Sequence, residues 1–403
     1  MGERAESSDH QQIGWGMRMI ILAGGPAIAL GSSLIQPILP KIAADLAHTP
    51  DELFLVKMLI GVMGVAMVIG ASLTGFLADR FGLKRIMVAN YAAYAVAGTA
   101  GVYLTDLHLL IVSRFFLGVA AAGAVTGSII VINSQLPPNR RSSWLGFYNA
   151  VAQMSSVVLN PVSGMLGEYN WHWSFAIYGL AAPFAVLAAV ALSGKTQPLP
   201  QAVDRSAAKV PLIRWFPFRF AAMAVLVGLV MYIPMVYLPF LLSELGMRSP
   251  TLISFVLTGD IIAGSITALL YGRARRVLSE EQAFATAFAS AAFGLVIASA
   301  APNVVLVVLG SIFFGIGVAW FFPTLLSAVS ARVTADQQGR GAGLIKSANY
   351  LGSPIAVFLV EPIARSYGPR GAILAAGLVA VLLLAIALIN LSRSRRTLAV
   401  EQA

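Results

Sequence analysis

The sequence predicts an all-α membrane protein with twelve transmembrane helices in two pseudo-symmetric bundles of six. Three observations lead there. First, 58% of the 403 residues are hydrophobic and 11% are charged, where a soluble domain carries roughly 25% charged residues; mean hydropathy is +0.82. A water-soluble globule needs a largely polar shell, so a soluble enzyme and a disordered chain are both excluded. Second, the apolar residues fall into twelve runs, each near the ~20 residues that cross a bilayer. Third, the basic residues are sorted by side: most of the 27 Lys and Arg fall in the loops of one face.

The runs follow from the turn residues and charges that end them. Helix 1, at 17–40, closes on Pro37, Pro40 and Lys41. No small-residue cleavage site follows a short apolar core, so it reads as a retained helix and not as a signal peptide. Helix 2 (53–78) starts after Asp51 and Glu52 and stops at Asp79. Helix 3 (86–104) lies between Arg85 and Asp106, and helix 4 (107–132) ends before Pro137. Helix 5 (143–167) runs from Arg141 to Glu168. Helix 6 (174–193) completes the N-terminal bundle, 1–193. The connection 194–214 holds Lys195, Pro198, Pro200, Asp204, Arg205, Lys209 and Pro211, the composition of a cytoplasmic linker. The C-terminal bundle, 215–403, holds helix 7 (216–243), helix 8 (250–272), helix 9 (282–300), helix 10 (303–328), helix 11 (340–363) and helix 12 (371–391), with a short tail. At one constant offset Ser113-Arg114-Phe115-Phe116 matches Ser311-Ile312-Phe313-Phe314, and Gly61 matches Gly259. That suggests duplication of a six-helix unit, as in carriers that rock two bundles about a central site.

Orientation follows from the basic residues. With the amino terminus cytoplasmic, Lys41, Arg248, Arg365 and Arg370 fall outside, and Lys57, Arg114 and Lys346 fall within spans. All others fall inside. Both termini are then cytoplasmic in a multi-pass protein of the cell (inner) membrane. The formal net charge of +10 is accounted for by topology and anionic headgroups, without a nucleic-acid partner. The absence of cysteine excludes disulfides, thiolate metal sites and Cys nucleophiles. The four histidines, His10, His48, His108 and His172, sit in tails or at span ends without metal spacing. No phosphate-binding glycine loop and no enzyme constellation is present, so neither a cofactor, a metal nor catalysis is expected. Trp171 and Trp173 suit an interfacial belt.

Four segments carry a family likeness. The loop after helix 2 reads Gly75-Phe76-Leu77-Ala78-Asp79-Arg80-Phe81-Gly82-Leu83-Lys84-Arg85. It resembles the helix 2–3 signature of the major facilitator superfamily, and Gly75, Asp79, Arg80, Gly82, Lys84 and Arg85 are the matching positions. Helix 1 ends Gly31-Ser32-Ser33-Leu34-Ile35-Gln36-Pro37-Ile38-Leu39-Pro40, similar to a signature of the twelve-helix drug:proton antiporter branch. Arg114-Phe115-Phe116-Leu117-Gly118 is similar to the helix 4 motif, in which an intramembrane arginine is associated with proton coupling. Helix 5 departs from that branch: its Gly-Pro is Asn160-Pro161 here, which leaves the direction of transport open. Tyr350-Leu351-Gly352-Ser353-Pro354 is the similar element of helix 11. The resemblance implies a two-bundle fold, alternating access, and a gate formed by the helix 2–3 loop. It places Asp79 near Gly339 to Gly341 when the cavity opens outward, with Arg80 and Arg85 beside it.

Ionisable groups inside a span cost at least ~2.5–3.5 kcal/mol at its centre and usually mark pathways. Asp260 lies ~15 Å into helix 8 at 1.5 Å per residue, on one face with Gly264, Thr267 and Tyr271. It is a candidate for holding and releasing a proton or contacting substrate; a structural acid bonded to a neighbouring helix is the alternative. Arg114, ~10 Å into helix 4, stays charged and needs an acceptor: a nearby acid, an anion, or helix carbonyls. Lys346 in helix 11 shares a face with Gly339, Gly343, Tyr350 and Ser353. It suits contact with an anionic substrate or snorkelling to the cytoplasm. Lys57, with Gly61, Gly64 and Gly75 on its face, points at protein as a snorkelling or gating lysine. Asn149, Gln153, Ser156 and Asn160 form a polar stripe on helix 5 that lipid would not accept; it faces a cavity or another helix. Gln36, Tyr232, Tyr237, Trp320 and Phe321 are further candidate lining residues.

The expected function is secondary transport of a small molecule by a functional monomer, in the form of proton-coupled efflux of an amphiphilic or drug-like compound. Arg114, Lys346 and the altered helix 5 motif favour an alternative, proton-coupled uptake of a small organic anion. A non-transporting receptor or scaffold is the reading from another class.

Overall fold

The computed structural model describes residues 14–192, 216–334 and 337–401, and the connection expected at 194–214 lies outside the described residues. Helix 1, Trp15–Ser33, passes through a 3-10 turn at Gln36–Ile38 and continues as Leu39–Leu46. Helices 2 to 5 are Pro50–Phe81, Leu83–Thr99, Leu107–Gln135 and Pro138–Tyr169. Helix 6 occupies Trp171–Ala191. Helices 7 to 10 are Phe218–Glu244, Pro250–Ala274, Glu280–Ala300 and Val304–Ser330. Helices 11 and 12 fill 338–367 and 369–401, divided at Gly368, whose φ is 66°. The described residues contain no strand.

Nine helical stretches among the described residues are long and apolar enough to cross a membrane, and the last, Gln338–Arg393, holds two crossings. Helix 3, with 17 residues, and helix 5, with its polar stripe, complete the twelve. Local chemistry sets the helix ends. Thr49 and Glu52 form a capping box on helix 2. Asp106, Ser249 and Asn303 accept from the first-turn amides of helices 4, 8 and 10, which would otherwise lack partners. Gly82 turns the chain between helices 2 and 3 at φ 83°, a conformation that costs a side-chain-bearing residue ~1–2 kcal/mol.

The two bundles repeat one packing scheme. Helix 4 packs on helices 2 and 3, helix 1 on helix 5, and helix 3 on helix 6; helix 10 packs on helices 8 and 9, helix 7 on helix 11, and helix 9 on helix 12. Small residues bring the axes together, as in lipid where dispersion and not hydrophobicity drives association. Gly228 meets Gly352 between helices 7 and 11, and Gly294 meets Gly310 between helices 9 and 10. Trp171 opens helix 6 at the end of the span. It is buried and donates from Nε1 to Asp45 at 2.9 Å, tying helix 6 to the extension of helix 1. Trp173 is exposed.

Twelve crossings place both termini at one end of the molecule. That end carries the basic loops and is called inner below; the opposite end is called outer. Reporter fusions at Arg140, Lys209 and the carboxyl terminus are expected to report cytoplasm, and one at Asp106 the outside. An outside signal at Lys209 would overturn the 6+6 division.

Candidate functional site

The bundles meet along two seams, helix 2 against helix 11 and helix 5 against helix 8. Both are closed in their outer halves. In the first, Lys57 pairs with Glu361 at 2.7 Å, both side chains buried. Tyr237 of helix 7 donates to the same carboxylate at 3.2 Å, and the Lys57 ammonium lies 5.0 Å from its ring. Arg365 bridges Glu361 (3.1 Å) and Asp51 (2.7 Å) at the rim. One turn further in, Gly61 packs on Val357, and then Gly64 on Tyr350 and Ser353. Pro354 has no N–H, so the Tyr350 carbonyl lacks its helical donor, and Gly64 is small enough to let helix 2 rest against it. In the second seam Gly164 packs on Ser254 and on the Pro250 carbonyl. Glu168 accepts from Ser249 (2.6 Å) and Thr251 (3.0 Å). At Glu168 burial works to raise the pKa, but the hydrogen bonds from Ser249 and Thr251 and the nearby Lys41 outweigh it and hold the carboxyl below its ordinary value.

The inner half of the first seam is open. Lys57/Glu361, Gly61/Val357 and Gly64/Pro354 define an antiparallel register with one helical face on each side. Continued inward it would pair Ser72 with Lys346, Gly75 with Gly343, and Asp79 with Gly339. At the glycine positions the contact is not made: no atom of another helix lies within 4 Å of where a Cβ on Gly75, Gly339 or Gly343 would stand. Asp79 is exposed and has no hydrogen bond or ion pair among the described residues. Arg80 and Arg85 do not hold it; Arg80 lies over the Phe81 ring at 5.5 Å, Arg85 is exposed and Lys84 half-buried.

The candidate residues do not form one cluster. Arg114 is fully buried inside the N-terminal bundle. Its Nη2 donates to Gly98 O at 3.0 Å, and its guanidinium lies over the Phe175 and Tyr178 rings at 4.7 and 4.8 Å. Cation–π contacts of this kind are worth ~0.5–2 kcal/mol or more when desolvated. Its Nε and Nη1 have no partner among the described residues. The helix 8 backbone at Asp260 lies against helix 10: Gly315 packs on it, Gly264 packs on the Gly315 carbonyl, and Trp320 Nε1 donates to Thr267 O at 3.1 Å. The Asp260 carboxylate has no ion pair among the described residues. The helix 5 stripe is divided by depth. Asn149 and Gln153 are exposed in the inner half, whereas Ser156 and Asn160 are buried in the outer half. There Ser33 of helix 1 donates to Asn160 Oδ1 at 2.9 Å. Gln36 is buried in the 3-10 turn at the closed end.

Lys346 projects from helix 11 into the open inner seam, with Nζ 6.0 Å from the Tyr350 ring. The Tyr148 hydroxyl of helix 5 is buried without a partner among the described residues. Glu361, Tyr148, and the rim pairs of Arg365 and Glu168 were outside the sequence-based set. An acid inside the 340–363 run, as close to the outer end as Lys57, was the available signal for Glu361.

Asp79→Asn bears on the open half. A carboxylate at a helix amino terminus is stabilised by typically 0.3–1 kcal/mol, here in the state where the inner seam is closed. The substitution is therefore expected to favour the inner-open form by about two- to fivefold. Single-cysteine accessibility at the two ends reads this, and an unchanged ratio at normal expression would leave Asp79 a turn residue.

Comparison with known proteins adds the family. The Major Facilitator Superfamily profile matches residues 21–248 and again 220–402. Among curated relatives, the niacin transporter NiaP of Acinetobacter baylyi is 26% identical over 155 residues, 38% of this chain and 35% of that one. The class G tetracycline resistance protein of Vibrio anguillarum is 28% identical over 162 residues, 40% of this chain and 41% of that one. The aligned stretches thus span well under half of these relatives. Among solved structures, a D-xylose-proton symporter superposes with a TM-score of 0.78 at 13% identity, covering 93% of this chain and 97% of that one. The nucleoside transporter NupG gives 0.70 at 13% identity, over 93% of this chain and 98% of that one. With its twelve helices, repeated bundle packing and two seams, this chain belongs to the Major Facilitator Superfamily.

Proposed function

We propose that the protein is a proton-coupled exporter of small amphiphilic compounds, working by alternating access in the cell (inner) membrane with both termini in the cytoplasm. The observation that supports this most is the helix 2–helix 11 seam, zipped outside and unzipped inside on one continuous register. A seam of that kind has a second arrangement available, with the inner contacts made and the outer ones broken. Asp260, an acid without an ion pair in an apolar span, is the candidate proton carrier. Resistance proteins for tetracycline and, at 28% identity over 178 residues, puromycin favour export. Import is the second reading, favoured by the niacin transporter among the relatives.

To test this, the purified protein is reconstituted in liposomes, a pH gradient is imposed, and a panel of anionic, neutral and cationic amphiphiles is followed on both sides. Gradient-dependent movement that a protonophore collapses is expected, and its sign reads the direction. No movement of any compound would replace the carrier with a receptor or scaffold.

A further inference from the structure

We infer that the substrate is an organic anion with a flat apolar body, its acid group held by Lys346 and its body by Tyr350 beside it. The inference rests on the carrier reading and narrows the substrate of that same cavity. Lys346 stands on the seam face of helix 11, among partly buried neighbours, and has no hydrogen bond or ion pair to a carboxylate among the described residues. Asp260 is on helix 8 with its backbone against Gly315 of helix 10 and no ion pair among the described residues, and Glu361 is committed to Lys57. When the inner half closes, the seam register brings Lys346 opposite Ser72, and the face of helix 2 there offers no acid. The next one along it, Asp79, is seven residues or about 10 Å nearer the inner end. Closing would therefore bury an ammonium without a counter-charge, which costs several kcal/mol per ion. A bound anion removes that cost. It joins occupancy to closure: the loaded carrier can shut its inner half and the empty one is held back.

The surroundings specify the rest of the ligand. Tyr350 lies beside Lys346, its ring 6.0 Å from the ammonium. A phenol donor suits a carboxylate, and its ring suits an aromatic body. A cation would meet Lys346 as a like charge.

The experiment uses matched pairs, benzoate with benzamide and 1-naphthoate with 1-naphthamide, titrated against the purified full-length protein by calorimetry. A charge-assisted hydrogen bond in a partly desolvated site gives on the order of ten- to a hundredfold preference, so at least one acid is expected to bind that much more tightly than its amide. Lys346→Gln should abolish the preference, and Lys346→Arg should retain most of it. Monodisperse elution and an unchanged far-UV circular-dichroism spectrum of both variants show that they are folded, and in the empty carrier Lys346→Gln should raise outer-end cysteine accessibility, because the cost of burying the ammonium is gone. Equal affinity within both pairs, or a preference that survives Lys346→Gln, would overturn the inference. The carrier reading fails separately. Acid-selective binding lost in Lys346→Gln, with no movement of any compound in liposomes, would keep the anion site and remove transport. Gradient-driven movement of neutral or cationic compounds that Lys346→Gln leaves unchanged would keep transport and remove the anion site.

Discussion

Glu361→Gln is expected to tip the protein from the inner-open toward the outer-open state by a factor of a hundred or more. Glu361 and Lys57 are both buried, 2.7 Å apart on opposite bundles. Removing one partner of a buried pair typically costs ~3–5 kcal/mol, because the other charge is left buried and uncompensated. That cost falls on the state in which the outer seam is closed. Once the seam opens, Lys57 reaches water and the penalty ends. The substitution therefore acts as a differential free energy between two states, the only kind that moves an equilibrium. About 5.5 kcal/mol would carry a population from 1:99 to 99:1, so most of that range is within reach. Tyr237 keeps its bond to the amide, but not to a charge. Arg365→Gln is the internal comparison. Its side chain is 45% exposed, and exposed pairs are worth ~0–1 kcal/mol, so its effect should be several-fold at most. The protein has no native cysteine, so single cysteines on the inner faces of helices 2 and 11 and at the outer rim read the two populations cleanly. Glu361→Gln with a wild-type accessibility ratio would show that the pair is not a latch. Its direction is opposite to that of Asp79→Asn, and the two together would return the ratio toward the starting value.

Asp260→Asn is expected to reduce pH-gradient-driven transport to the passive background, while counterflow of substrate down its own gradient persists within a few-fold. A charged side chain at the middle of a span costs at least ~2.5–3.5 kcal/mol. No cation among the described residues pairs with the Asp260 carboxylate here, and the contacts between helices 8 and 10 include those of Gly264, Gly315, the Asp260 backbone, Thr267 and Trp320. In the proposed cycle the side chain takes up and loses a proton as the cavity is exposed to one side and then the other. Asparagine keeps its shape and removes the titration. Coupling requires the proton, whereas exchange of substrate requires only the two arrangements of the seams. Loss of both activities together, with the protein normally folded, would assign Asp260 to substrate binding. Full retention of gradient-driven transport would make it a structural acid.

The sequence by itself determined everything that depends on composition and period. Twelve apolar runs of bilayer length, divided by a polar connection, define the helix count and the two bundles. The same runs expose Lys57, Arg114, Asp260 and Lys346 as charges within spans; Glu361 also lies inside a run, at 340–363, but its role depends on a partner that the run does not show. Helical phase showed that Asn149, Gln153, Ser156 and Asn160 share a face, and that Lys57 shares one with Gly61 and Gly64. Period names a face but not what stands opposite it. Glu361 lies 304 residues from Lys57, and only the docking of one bundle on the other brings them together. The same docking buries Asn160 on Ser33 and leaves Gln153 open, although the two residues lie on one stripe. Arg114 meets π faces and a carbonyl because helices 3 and 6 fold over it, and nothing within helix 4 says so. Trp171, interfacial by composition, is buried because Asp45 arrives from the far end of helix 1. Which half of the seam is closed is likewise a tertiary fact. The same helix faces are available to both halves, and the state is set by the balance between an outer ion pair already made and an inner helix-end contact still unmade.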